Sequence, residues 1–79
     1  MVRKLDSILV LGLGNVGTLV GILLQKTGFN VLGADLSAKA GLPFATQELD
    51  VTDIAEVTEV MQQHDAIVSC LPYHFNLEI

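Results

Sequence analysis

Apolar residues change their spacing several times along this chain, and the changes mark its elements. Ser7-Ile-Leu-Val-Leu11 is a short apolar run with Asp6 before it and glycines after it, the pattern of a buried strand. From Asn15 the period becomes helical: Val16, Leu19, Val20, Leu23 and Leu24 fall at i, i+3, i+4, i+7 and i+8, which predicts one stripe turned to the core. Gly28 supplies a left-handed stop. Phe29 to Ala34 reads as a second strand ending at Asp35, and Leu36 to Pro43 as a loop or frayed turn. A weaker strand covers Ala45 to Leu49. Thr52 or Asp53 then caps a helix with Ile54, Val57, Val60 and Met61 on its apolar side, and with Asp53 as the cap Glu56 takes the capping-box position. This helix is expected to end near His64. Asp65-Ala-Ile-Val-Ser69 is a last strand, and Cys70 to Asn76 the loop leaving it.

Strand, helix, strand, loop, strand, helix, strand is the alternation of an α/β fold, a parallel sheet with right-handed crossovers and flanking helices. The chain stops at Asn76-Leu-Glu-Ile79, where another crossover helix is expected to begin. Residues 1–79 are therefore read as one domain, the truncated amino-terminal half of a doubly wound fold, to which an enzyme adds a substrate domain.

Composition narrows the class. Hydrophobic residues make up 51% of the chain and charged ones 16%, which suits strands covered on both faces and excludes a disordered chain. The net charge of −5, with basic residues only at Arg3, Lys4, Lys26 and Lys39, argues against a nucleic-acid surface. A bound phosphate must then be held mainly by backbone N–H groups. Cys70 is the only cysteine, so an internal disulfide is impossible and a reducing cytoplasm is the expected location. The apolar stretch Ile8 to Leu13 falls far short of the ~20 residues that span a bilayer.

The candidate chemistry begins at Gly12-Leu-Gly14-Asn-Val-Gly17, a G-x-G-x-x-G pattern that is weak alone and strengthened by its place between a strand and a helix. Gly12 allows the tight turn, Gly14 lets the main chain approach a pyrophosphate, and Gly17 lets the helix approach the strand, a smooth side that Gly21 extends one turn on. The N–H groups of Asn15, Val16 and Gly17 open the helix and face the phosphates. An acid, Asp35, lies 18 residues beyond the last glycine at the end of the next strand. It is placed to accept the adenosine ribose hydroxyls, and its charge repels the extra phosphate of NADP. A Rossmann-type NAD site is expected, with NADP as the alternative because Ser37 and Lys39 could reach a 2′-phosphate if Asp35 turned aside.

Two later segments leave strands at the same edge. Asp50 and Val51 follow the third strand, and two readings stand side by side: Val51 against adenine with Asp50 beside it, or Asp50 as part of a helix-entry turn. Cys70, Leu71 and Pro72 leave the fourth strand, where Pro72 favours an extended Leu71 that runs along the cofactor.

With these blocks in view, the chain resembles the NAD(P)-binding domain of the saccharopine dehydrogenase and saccharopine reductase family. The likeness rests on Val10 to Gly17, Gly33-Ala-Asp35, Leu49-Asp-Val-Thr-Asp53 and Asp65-Ala-Ile-Val-Ser-Cys-Leu-Pro-Tyr73. It departs from the family at His74, where a small polar residue is common, and at Leu36, where a basic one is. The resemblance implies an NAD(P)-dependent oxidoreductase of the lysine-metabolism type, acting by hydride transfer on the C–N bond of an amino acid or secondary amine. Substrate groups and the acid-base residue would come from the second domain, and a homo-oligomer is expected for the full-length protein. No catalytic residue is assigned to this chain, and the fragment alone is expected to be inactive.

Other residues have plainer readings. Cys70 lacks a basic neighbour and is expected to pack rather than react. His64 near a helix end is a solvated partner of the helix carbonyls, Glu56 and Glu59 form a solvated face, and no metal-ligand spacing occurs. Tyr73 and His74 lie on the cofactor loop, where either could contact the nicotinamide ribose or substrate, and a surface or domain-interface role is the favoured reading. The competing function is a non-catalytic NAD-sensing regulatory domain of the potassium-transport type, and a third is an interaction module with an empty glycine turn.

Overall fold

The computed structural model describes residues 5–37 and 40–71. Within them the order is β1 (Ser7–Leu11), α1 (Asn15–Thr27), β2 (Asn30–Asp35), β3 (Ala45–Glu48), α2 (Ile54–Gln62) and β4 (Ala66–Ser69). The four strands form one sheet in the order β3-β2-β1-β4, every pairing parallel. This is the expected Rossmann-type α/β arrangement.

Strand β1 is central because nearly every one of its side chains is apolar and can be buried on both faces. Ile8 and Val10 point into one layer with Leu13, Val31 and Phe44, packed by Ile22 and Leu24 of α1. Leu9 and Leu11 point the other way, into a layer with Ala34, Leu49 and Val60 that Val57 and Met61 of α2 cover. The two helices thus lie on opposite faces of the sheet.

Helix α1 ends as Gly28 predicts. This residue takes φ 111°, its N–H and that of Phe29 close on the carbonyls of Gln25 and Leu24, and Phe29 and Leu24 pack on the same layer. That closure consumes Phe29, so β2 begins one residue later than the apolar pattern suggests. The core-facing side of α1 requires a larger correction. Val16, Leu19 and Leu23 are 67, 57 and 55% exposed, whereas the buried helix positions are Gly17 and Gly21. A Cβ on Gly21 would stand 2.6 Å from the Phe44 ring, so it is the absence of side chains that lets α1 sit close to the layer beneath.

Helix α2 is capped by Asp53, whose Oδ1 accepts the Glu56 N–H at 3.1 Å, and it stops at Gln62, short of His64. Ile54, expected on its apolar side, is 78% exposed. His64 is half-buried and its Nδ1 lies 2.9 Å from the Val60 carbonyl oxygen. Asp65, expected inside the last strand, precedes β4 and latches it to β1: its Oδ2 accepts the N–H groups of Asp6 and Ser7 at 3.0 and 3.1 Å.

Candidate functional site

The crossovers diverge on either side of β1. Helix α1 carries the chain from β1 to β2, and α2 carries it back across to β4. Between such diverging connections, at the carboxyl ends of the strands, a parallel sheet leaves a crevice that receives ligands. Here those carboxyl ends carry the glycine turn after β1, Asp35 at the end of β2 and the Cys70-Leu71 segment after β4.

Each glycine of the turn has a distinct surrounding. Gly12 takes φ +92°, and a Cβ there would lie 2.9 Å from the carbonyl oxygen of Cys70. A Cβ on Gly17 would collide with the Gly12 carbonyl oxygen, and Cys70 Cβ also stands within van der Waals reach. Gly12 and Gly17 therefore close the turn on itself and on β4. Gly14, by contrast, is the N-cap of α1 and its missing Cβ would meet nothing within 4 Å. That open position is where the main chain can be approached from outside.

The start of α1 is chemically suited to an anion. Gly14 brings no side chain to cap the helix, and the first turn contains no acidic residue. The N–H groups of Asn15, Val16 and Gly17 precede the first intrahelical bond, Thr18 N–H to Gly14 carbonyl at 2.9 Å. Asn15 and Val16 are exposed and Gly17 is buried. The helix-start N–H groups of exposed Asn15 and Val16, the positive end of the helix dipole and an open Gly14 together fit a pyrophosphate.

Asp35 ends β2 at the same edge, level with the glycine turn, since Leu11 pairs with Ala34. Its half-buried carboxylate accepts the Leu13 N–H through Oδ2 at 2.6 Å and the Leu36 N–H through Oδ1 at 2.7 Å. A link between this acid and the glycine turn itself was not foreseeable from spacing, because periodicity says nothing about backbone donors. Leu36, its neighbour, is 69% exposed.

Asp50 and Val51 occupy the turn between β3 and α2. The Asp50 Oδ1 accepts from Thr52 Oγ1 at 2.6 Å and from Thr52 N–H at 2.9 Å, which makes Asp50 part of the helix-entry turn. The Thr52 hydroxyl, then the Thr52 N–H, hold its carboxyl below the usual carboxylate range. Val51 is half-buried. Cys70 N–H donates to the Leu11 carbonyl at 2.7 Å, and Leu71 packs against the α2 layer. Cys70 accordingly packs at the sheet edge against the glycine turn. Pro72, Tyr73, His74 and Lys39 lie outside the described residues.

A cleft of about 500 Å³ lies elsewhere, bordered by Asn30, Val31, Phe44 and Ala45. It opens at the amino ends of β2 and β3 and contains none of the residues of the glycine site. Among the described residues, no three His, Cys, Asp or Glu side chains come together to hold a metal, and no helix is long and apolar enough to cross a membrane.

Comparison with known proteins agrees with this geometry. No curated protein gives a significant match to the chain. A family model does, over residues 8–79, and its description is the saccharopine dehydrogenase NADP-binding domain. The glycine turn, the divergent crossovers and that match lead to one conclusion: the chain belongs to the saccharopine dehydrogenase NADP-binding family and is a nicotinamide-dinucleotide-binding domain of an oxidoreductase.

Proposed function

We propose that this domain binds NAD in preference to NADP and orients it for hydride transfer at the C–N bond of an amino acid or secondary amine. The observation that carries the cofactor preference is the Asp35 carboxylate, held in place by the N–H groups of Leu13 and Leu36. A carboxylate fixed at two points does not swing aside for a 2′-phosphate, and the residue after it, Leu36, offers that phosphate no cation. The family description names NADP; the charge at Asp35 supports the dinucleotide without the extra phosphate.

In this reading the N–H groups of Asn15, Val16 and Gly17 receive the pyrophosphate, and Gly12 and Gly14 leave it room. Asp35 takes the ribose hydroxyls and Val51 the adenine, with Asp50 shaping the turn that presents Val51. Cys70 and Leu71 run beside the nicotinamide half. The bound nicotinamide supplies the hydride chemistry, while the protein supplies position and electrostatics. Substrate recognition and proton transfer fall to a second domain, within a homo-oligomeric cytoplasmic enzyme.

Titration calorimetry of the chain with NADH and with NADPH tests the reading. NADH is expected to bind the more tightly, and Asp35→Ala to bring the two affinities together. Absence of heat with either dinucleotide at millimolar concentration would refute the assignment, and an unchanged affinity ratio in Asp35→Ala would show that this residue does not read the ribose.

A further inference from the structure

The Asp35 carboxylate is engaged by the glycine turn. Its bond to the Leu13 N–H, 2.6 Å long, joins residues 22 positions apart and ties the end of β2 to the middle of the turn. Leu13 is held at two further points. Its carbonyl accepts Thr18 Oγ1 at 3.1 Å, and its fully buried side chain fills the space above Gly33, where a Cβ would stand 2.7 Å from Leu13 Cδ2. One residue earlier, Gly12 N–H donates to the Ala34 carbonyl at 2.8 Å. The turn is thereby anchored to β2 on one side and to α1 on the other.

The Leu13 N–H is directed at Asp35, so the donors that face an anion start beyond it, at the opening of α1. Their direction depends on where Leu13 stands. Each carboxylate oxygen has two acceptor directions and uses one for a backbone N–H, which leaves both oxygens able to accept a ribose hydroxyl as well. A single side chain therefore touches the turn and faces the ribose position.

We propose that Asp35 is a positioning residue for the pyrophosphate cradle, acting through Leu13, in addition to reading the ribose. This inference rests on the dinucleotide-binding reading above. Removing the carboxylate would leave the Leu13 N–H without its charged acceptor, and the turn would relax away from the geometry that sets the start of α1.

ADP and 2′,3′-dideoxy-ADP separate the two roles. The second keeps adenine and pyrophosphate and lacks the hydroxyls that Asp35 would read. If Asp35 acts through the turn, Asp35→Ala loses affinity for dideoxy-ADP as well, by about tenfold, the usual scale for a charge-assisted bond. Asp35→Asn, whose amide oxygen still accepts from Leu13, should recover part of that loss without restoring the preference for NADH over NADPH. The Leu13 amide proton gives an independent signature: far downfield and slow to exchange in the unliganded chain, and shifted upfield in Asp35→Asn. Equal dideoxy-ADP affinity in wild type and both variants, or a Leu13 resonance unmoved in Asp35→Asn, overturns the positioning role and leaves the binding reading intact. A wild-type chain that binds neither nucleotide overturns both.

Discussion

Four of the aspartates do distinct jobs here, each with a backbone N–H among its partners. Asp35 takes Leu13 and Leu36, Asp50 takes Thr52, Asp53 takes Glu56, and Asp65 takes Asp6 and Ser7. These acids fix turns and strand starts through amide dipoles. At Asp50 a side-chain hydroxyl joins the backbone N–H and the carboxyl's pKa is lowered. Its lowered pKa comes first from the Thr52 hydroxyl, so Thr52→Val should move it back toward the ordinary carboxylate value, as a carbon-13 titration of the carboxyl would read. A pKa lower in the folded than in the unfolded chain stabilises the fold above the unfolded value, and that contribution is lost as pH falls through the folded one. Thr52→Val should therefore reduce the acid dependence of stability slightly, the effect being small because Asp50 is exposed. An Asp50 titration unchanged by the substitution would contradict the assigned cause.

At the scale of elements, the most readable features were those set by local chemistry. Asp53 followed by Glu56, Gly28 after a helical stretch, and the unbroken apolar run of β1 each carry their own physical reason, and each element lies within a residue or two of its expected place. The orientation of α1 was readable in part. Gly17 and Gly21 marked the side that approaches the sheet, and Leu24 of the apolar stripe packs beside it, but periodicity scores side chains and also drew Val16, Leu19 and Leu23 inward, where the structure leaves them exposed. The site divides similarly. Gly12, Gly14, Gly17 and Asp35 are visible from spacing, whereas Leu13 as the link between turn and acid required the backbone. A pair of substitutions tests this account of α1. Gly17→Ala drives a Cβ into the Gly12 carbonyl, a backbone obstacle that cannot step aside, and should cost at least about 3 kcal/mol. Leu23→Gln removes an apolar side chain at an exposed position and should stay within about 0.5 kcal/mol. Urea unfolding of both variants decides the matter, and a Leu23→Gln loss as large as that of Gly17→Ala would mean that α1 packs by the other face.

At the scale of the molecule, the binding crevice and the fold's stability depend on the same strands. A chain of this length buries only roughly 60% of its unfolded surface, so its margin of stability is small and a ligand that binds the folded state alone has a large effect on it. The carboxyl ends of β1, β2 and β4 carry the glycine turn, Asp35 and Cys70, and a dinucleotide laid across them would bind only when all three strands are in register. NADH at a hundred times its dissociation constant should add about 2.7 kcal/mol, which for a domain of this size raises the thermal midpoint by roughly 10–20 °C. The same chain supplied with NAD and amino acids should reduce no cofactor, because the proposed site consists of phosphate donors, a ribose acceptor and an adenine contact, with proton transfer assigned to a second domain. The two measurements separate cofactor binding from catalysis. A midpoint unmoved by saturating NADH would mean that the glycine turn is formed for packing against β4 alone, and measurable turnover would mean that the residues following β4 carry acid-base chemistry of their own.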